Sequence, residues 1–148
     1  MSRKTPLVLA AVGIVALGVG AAVAVPAADR WWDGRRQQSS AYATGAKAKQ
    51  DRRSVPRWLP DEATSVQYAM KTTGGERLLV ATTVGARPPA ECKPIEGTAP
   101  EAEMGAPWFP DAVAGKATLK CGSYFAYQDG TTLTAWSTDR EWRDAGSP

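Results

Sequence analysis

No histidine occurs anywhere in the 148 residues. That absence removes the side chain most used for proton transfer near neutral pH and for binding transition metals, and many catalytic schemes go with it. Cysteine is nearly absent as well, with only Cys92 and Cys121. They stand too far apart in sequence for a CxxC redox pair, which leaves a single staple in an oxidising compartment or two reduced thiols; the staple is expected. No serine sits in a G-x-S-x-G setting, no glycine-rich phosphate loop is present, and the acids do not follow calcium-loop spacing. Nothing in the chain names an activity, and no cofactor or metal is expected.

What the chain does have is charge divided along its length. Met1 to Arg57 holds ten lysines and arginines against three acids, whereas Trp58 to Pro148 holds eight against twelve. The net charge of +3 therefore comes from the amino-terminal part, beside an apolar run. Positive charge placed there suits an anionic surface, meaning membrane lipid or envelope polymer, and argues against nucleic acid.

The apolar run, Leu7 to Val25, reads LVLAAVGIVALGVGAAVAV without a charged side chain. As a helix rising about 1.5 Å per residue it covers about 28 Å, close to the ~30 Å hydrocarbon core of a bilayer. Arg3 and Lys4 precede it and Val25-Pro26-Ala27 closes it, a layout shared by a cleaved secretory signal and an uncleaved anchor. Its length exceeds the about 7–15 apolar residues of a signal, so an anchor is expected. Ala16 and Gly20 form a small-xxx-small pair, for which the abundance of alanine and glycine is explanation enough. Trp31 and Trp32, flanked by Arg30 and Arg35, form an expected interfacial belt just past the span. Flanking charge nearly ties on the two sides. The signal-like order and the cysteines then favour residues 1–6 in the cytoplasm and the remainder outside the cell membrane.

Beyond the span, residues 26–54 are polar and basic with no apolar face repeating at helical spacing, and predict a solvated stalk. A small domain is expected at 55–139. It opens on Val55-Pro56-Arg57-Trp58-Leu59-Pro60, where two prolines force an extended course and present Trp58 and Leu59 for docking. Alternation then sets Val66, Tyr68 and Met70 opposite Gln67, Ala69 and Lys71, and Leu78, Val80 and Thr82 opposite Leu79, Ala81 and Thr83. Gly74-Gly75 between them predicts a hairpin turn, with the glycines supplying its positive φ. Residues 85–115 form a long connection rich in proline, glycine and alanine, in which Trp108 and Phe109 are set between Pro107 and Pro110 to cover a sheet face. Residues 117–127 read as one strand, with Leu119, Cys121, Phe125 and Tyr127 on one side and Lys120, Tyr124 and Ala126 on the other, and Asp129-Gly130 turns into Thr131–Ser137. A charged, frayed tail is expected at 140–148.

The elements PRWLPDEATSVQ, a hairpin, PPAE before the first cysteine, APWFP, and the second cysteine in LKCGSY together resemble short membrane-anchored proteins of actinobacteria. The resemblance covers roughly the ninety residues of the expected domain, a size at which one small core is the limit. It implies an envelope location and a single anchor, and brings no activity and no catalytic residues.

The expected architecture is thus a single N-terminal transmembrane helix plus a small mainly-β or α+β domain. Two antiparallel hairpins, about four strands in all, carry a long loop and a Cys92–Cys121 staple. Trp58, Trp108, Phe109, Tyr124 and Trp136 would line a binding groove if exposed together, but in so small a domain they are expected to form its core. Asp61, Glu62, Asp111 and Asp129 each have a turn role that needs no catalysis, although two brought together could act as acid and base. The expected function is a non-enzymatic binding or scaffolding domain at the outer membrane face, its partner lipid, anionic envelope polymer or another membrane protein. A small envelope hydrolase using paired carboxylates, a secreted protein after signal cleavage, and a cytoplasmic domain with free thiols are the alternatives.

Overall fold

The computed structural model describes residues 36–146. The expected span, the segment 1–6 and the interface residues Arg30, Trp31, Trp32 and Arg35 lie outside them. Among the described residues no helix is long and apolar enough to cross a membrane.

Seven strands, β1 (Gln37–Thr44), β2 (Thr64–Lys71), β3 (Arg77–Thr82), β4 (Lys93–Pro94), β5 (Leu119–Cys121), β6 (Tyr124–Asp129) and β7 (Thr132–Ser137), form one sheet in the order β1-β2-β3-β7-β6-β5-β4. Every neighbouring pair is antiparallel. Two short helices, α1 (Gly45–Asp51) and α2 (Asp139–Asp144), complete it. Both expected hairpins are present as β2–β3 and β6–β7, joined side by side through the β3–β7 ladder.

The period-2 pattern is what makes this sheet two-sided. Val66, Tyr68, Leu79, Ala81, Tyr124, Ala126, Leu133 and Ala135 point to one face and pack with Ala48, Val55, Trp58 and Leu59. Ala69, Leu78, Phe125 and Trp136 point to the other and pack with Phe109 and Val113 from the long connection. The first cover is α1 and the chain after it; the second has almost no regular structure. Hydrogen bonds hold that second cover down. Trp136 Nε1 donates to Pro100 O at 3.0 Å, Trp108 Nε1 to Ser39 Oγ at 3.2 Å, and Gln37 Nε2 to Gly105 O at 2.9 Å. Two of its acids are acceptors: Glu101 takes the Val113 N–H and Glu103 the Asp139 N–H, both at 2.9 Å.

The staple is present, Cys92 bonded to Cys121. Lys93 pairs with Lys120 and Pro94 with Leu119, so continuing the same register by one residue sets Cys92 opposite Cys121. The bridge thus extends the β4–β5 ladder, and Cys121 is fully buried on the first face.

Four expectations are corrected. Residues 37–51, read as solvated stalk, are β1 and α1. No apolar stripe marks them because α1 buries Gly45 and Ala48, residues too small to register as one. A Cβ on Gly45 would lie 2.0 Å from Pro60 O, so glycine is what lets α1 seat. The single strand at 117–127 is two strands, reversed at Gly122-Ser123, where Gly122 takes φ +59°. This change raises the strand count and flips the faces: Leu119 and Cys121 share theirs with Tyr124 and Ala126, not with Phe125 and Tyr127. Gly74 and Gly75 are not at positive φ. Gly75 is required by packing, since a Cβ there would lie 2.5 Å from Trp142 Cβ. Finally, 139–144 in the charged tail is α2, capped by Thr138, whose side chain accepts from Glu141 N at 3.3 Å.

Replacing Cys92 and Cys121 together by serine is expected to lower unfolding free energy by about 3–4 kcal/mol, from the 29-residue separation the bridge closes. Urea denaturation followed by circular dichroism measures it, and an unchanged midpoint would show that the ladder alone holds the long connection.

Candidate functional site

The five aromatics weighed as a groove do not form one surface. Trp58 and Tyr124 lie on the first face, Phe109 and Trp136 on the second, all four buried. Trp108 is half-buried and meets Phe109 edge-on at 6.0 Å between ring centroids. Their main role is core, as expected.

Trp58 and Tyr124 nonetheless line a pocket of about 200 Å3 together with Trp142, a residue that sequence reading left in the frayed tail. The signal for it was there: Thr138-x-x-Glu141 is the spacing of a helix N-terminus, followed by Asp139 and Arg143 at i,i+4. Tyr124 meets Trp58 edge-on at 5.4 Å and Trp142 edge-on at 6.4 Å, so the three rings brace one another. Arg53 and Arg57, both exposed, line the same pocket. Neither forms an ion pair among the described residues.

Behind the pocket lies a buried polar group of three side chains. Arg77 is 6% exposed, donates through Nη1 to the carbonyls of Gly74 and Glu76 at 2.8 Å and Lys71 at 3.2 Å, and stacks its guanidinium 4.3 Å from the Trp142 ring centroid. That one side chain ties the β2–β3 turn to α2. Tyr68 donates to Ser54 O at 2.9 Å, and burial raises its hydroxyl above its ordinary value. Burial, reinforced by Tyr68, pushes Tyr124 up much further. The Tyr124 hydroxyl faces Tyr68 but reaches no partner in hydrogen-bonding geometry among the described residues, and neither does Arg77 Nε. Such unsatisfied buried atoms carry a desolvation cost of about 1–3 kcal/mol each, so this corner of the core is polar by requirement of the turn it clamps.

A larger open groove of about 630 Å3 lies beside β4 and β5. Glu91, Lys93, Glu96, Lys120 and Glu141 line it over a floor that includes Ile95 and Phe125. Lys120 is committed within it, ion-paired to Glu141 with Nζ 3.7 Å from the Phe125 ring centroid. The carboxylates considered for acid–base work are not gathered here: Asp61, Glu62, Asp111 and Asp129 line neither the groove nor the pocket, and Asp61 pairs with Lys49 at 2.6 Å. Among the described residues no three metal-ligating side chains cluster.

Comparison with protein-family models, with curated proteins and with solved structures finds no match to this chain.

The α2 end of the site carries its own pH dependence. Asp139 Oδ1 accepts the Gly75 N–H at 2.7 Å and Oδ2 takes Arg143 Nε at 2.9 Å. The Gly75 amide first, and Arg143 with it, hold the Asp139 carboxyl below its ordinary 3.8. A carboxyl lowered on folding stabilises the fold above its unfolded pKa, and that stabilisation disappears as pH falls through the folded value. The melting temperature is therefore expected to fall more steeply in the native chain than in Asp139→Asn between about pH 5 and pH 2. Parallel curves from thermal melts would refute the coupling.

Proposed function

We propose that the chain is a membrane-anchored envelope protein whose disulfide-stapled domain binds an anionic partner at the outer membrane face. The binding half of this reading is carried by the pocket in which Trp58, Tyr124 and Trp142 adjoin Arg53 and Arg57. Rigid aromatic walls provide contact area with little entropy to lose, and unpaired guanidiniums recognise phosphate or carboxylate. A ligand suited to both has an apolar ring or branched body next to an anionic group, chemistry found in acidic envelope polymers and in acidic peptide segments. The Cys92–Cys121 bridge supports the location, because such bonds persist in oxidising compartments. The apolar run at 7–25 supplies the anchor of the proposal.

A second reading, a small hydrolase, draws on Glu91, Glu96 and Glu141 along the open groove. Glu141 is ion-paired to Lys120, and Glu91 and Glu96 are exposed to water, which favours the pocket over the groove.

The pocket is testable with phenyl phosphate titrated into the full chain in detergent, read by tryptophan fluorescence, to which Trp58 and Trp142 contribute from the pocket wall. Saturable quenching is expected, with affinity reduced at least about tenfold in Arg53→Gln/Arg57→Gln. Phenol binding as tightly as phenyl phosphate would sink the anionic reading. For the location, both thiols are expected to resist alkylation in freshly denatured cell extracts until a reductant is added; labelling without reductant would place the domain in a reducing compartment.

A further inference from the structure

The two edges of the sheet are treated in opposite ways. The β4 edge is two residues long and contains Lys93 and Pro94, the features by which natural sheets close an edge to further pairing. The β1 edge is eight residues long, reads QQSSAYAT, and has neither a charge nor a proline. Its pairing with β2 leaves the other side of β1 without a strand partner among the described residues. The side chains that could fold over that side are fastened elsewhere. Gln38 Oε1 accepts Arg52 Nη1 at 2.8 Å, the Tyr42 hydroxyl accepts Arg52 Nε at 3.2 Å and donates to Asp51 at 2.7 Å, Gln37 is held by Gly105, and Ser39 by Trp108. The result is an ordered edge whose outer side has no strand partner among the described residues.

We propose that β1 is a self-association surface, pairing antiparallel with β1 of a second copy across a two-fold axis so that two sheets run on as one. A continuous two-fold sheet keeps each face on its own side, which puts the axis on Ser40 or on Ala41. With the axis on Ala41, Ser40 faces Tyr42, Ser39 faces Ala43 and Gln38 faces Thr44; with it on Ser40, Ser39 faces Ala41 and Gln38 faces Tyr42. Either register brings together small or neutral side chains and no two like charges, so the strand is complementary to itself. A two-fold contact of this kind needs no second, specialised surface. The inference is independent of the pocket, whose lining residues lie elsewhere.

Ala41 and Ala43 are exposed and share one face of β1, so charge added at 41 lies directly opposite its own copy with the axis on Ala41 and diagonal to it with the axis on Ser40, without entering the core. The full chain in detergent is expected to be dimeric by light scattering, and both Ala41→Lys/Ala43→Lys and Ala41→Glu/Ala43→Glu are expected to be monomeric with an unchanged far-UV circular dichroism spectrum. An equimolar mixture of the two variants is expected to restore the dimer, since the charges that adjoin across the axis are then of opposite sign. A monomeric native chain, a dimer persisting in either variant, or a mixture that stays monomeric would each overturn the assignment.

Discussion

The bond between Cys92 and Cys121 is the constraint on which the second face of the sheet depends. Trp136, Phe125 and Leu78 need cover, and that cover is a long segment with almost no helix or strand to fix it. Such a segment has many conformations to lose on folding. Its start is fastened by the bridge in continuation of the β4–β5 register, and its middle by Trp136 to Pro100. Covalent closure thus takes the place that a packed helix fills in larger two-sided sheets, and it allows proline-rich chain to act as a core layer.

The opposite face is organised by a polar side chain. Arg77 lies on a central strand where an apolar residue would pack with less desolvation, yet it gathers three carbonyls of the β2–β3 turn and stacks on Trp142. Gly75, Asp139 and Trp142 then meet at one point: the glycine because nothing larger fits under the indole, the aspartate because it takes the glycine's amide. The pocket beside Trp58 is a by-product of this arrangement, since Trp142 is held against Tyr124 by the turn on one side and by its own helix on the other.

Strand faces were legible where alternation was long enough to show. Val66, Tyr68 and Met70 and their neighbours on β3 fall on the sides that the pattern assigns, as do the cysteines on a pairing their number assigns. What the pattern hid has common causes. β1 and α1 bury backbone and small residues, Gly45 and Ala48 chief among them, and hydrophobic periodicity is blind to these. The break at Gly122 was masked because residues 117–127 keep a period-2 alternation across it, and the reversal is marked by one glycine at positive φ. Trp142 was hidden by its charged neighbours, which pair along the helix, reach Lys120 or take the Gly75 amide while the indole turns inward. The candidate pocket was therefore half-readable: Trp58 and Tyr124 were singled out, and the third wall and the flanking arginines became visible only with α2 and the end of α1 in place.

The strand order also has a consequence for how the chain is assembled as it is made. β3 and β7 are neighbours at the middle of the sheet but are drawn from residues 77–82 and 132–137. The β1–β2–β3 half can zip up from local pairings, yet its inner margin stays open until the last strand has been synthesised and delivered. Until then Leu78 and Leu79 are without the partners that bury them, and contacts of such long sequence separation form slowly. Vectorial synthesis therefore leaves a half-sheet waiting, and completion is a single late event in which β7 arrives together with β6 and closes both faces at once.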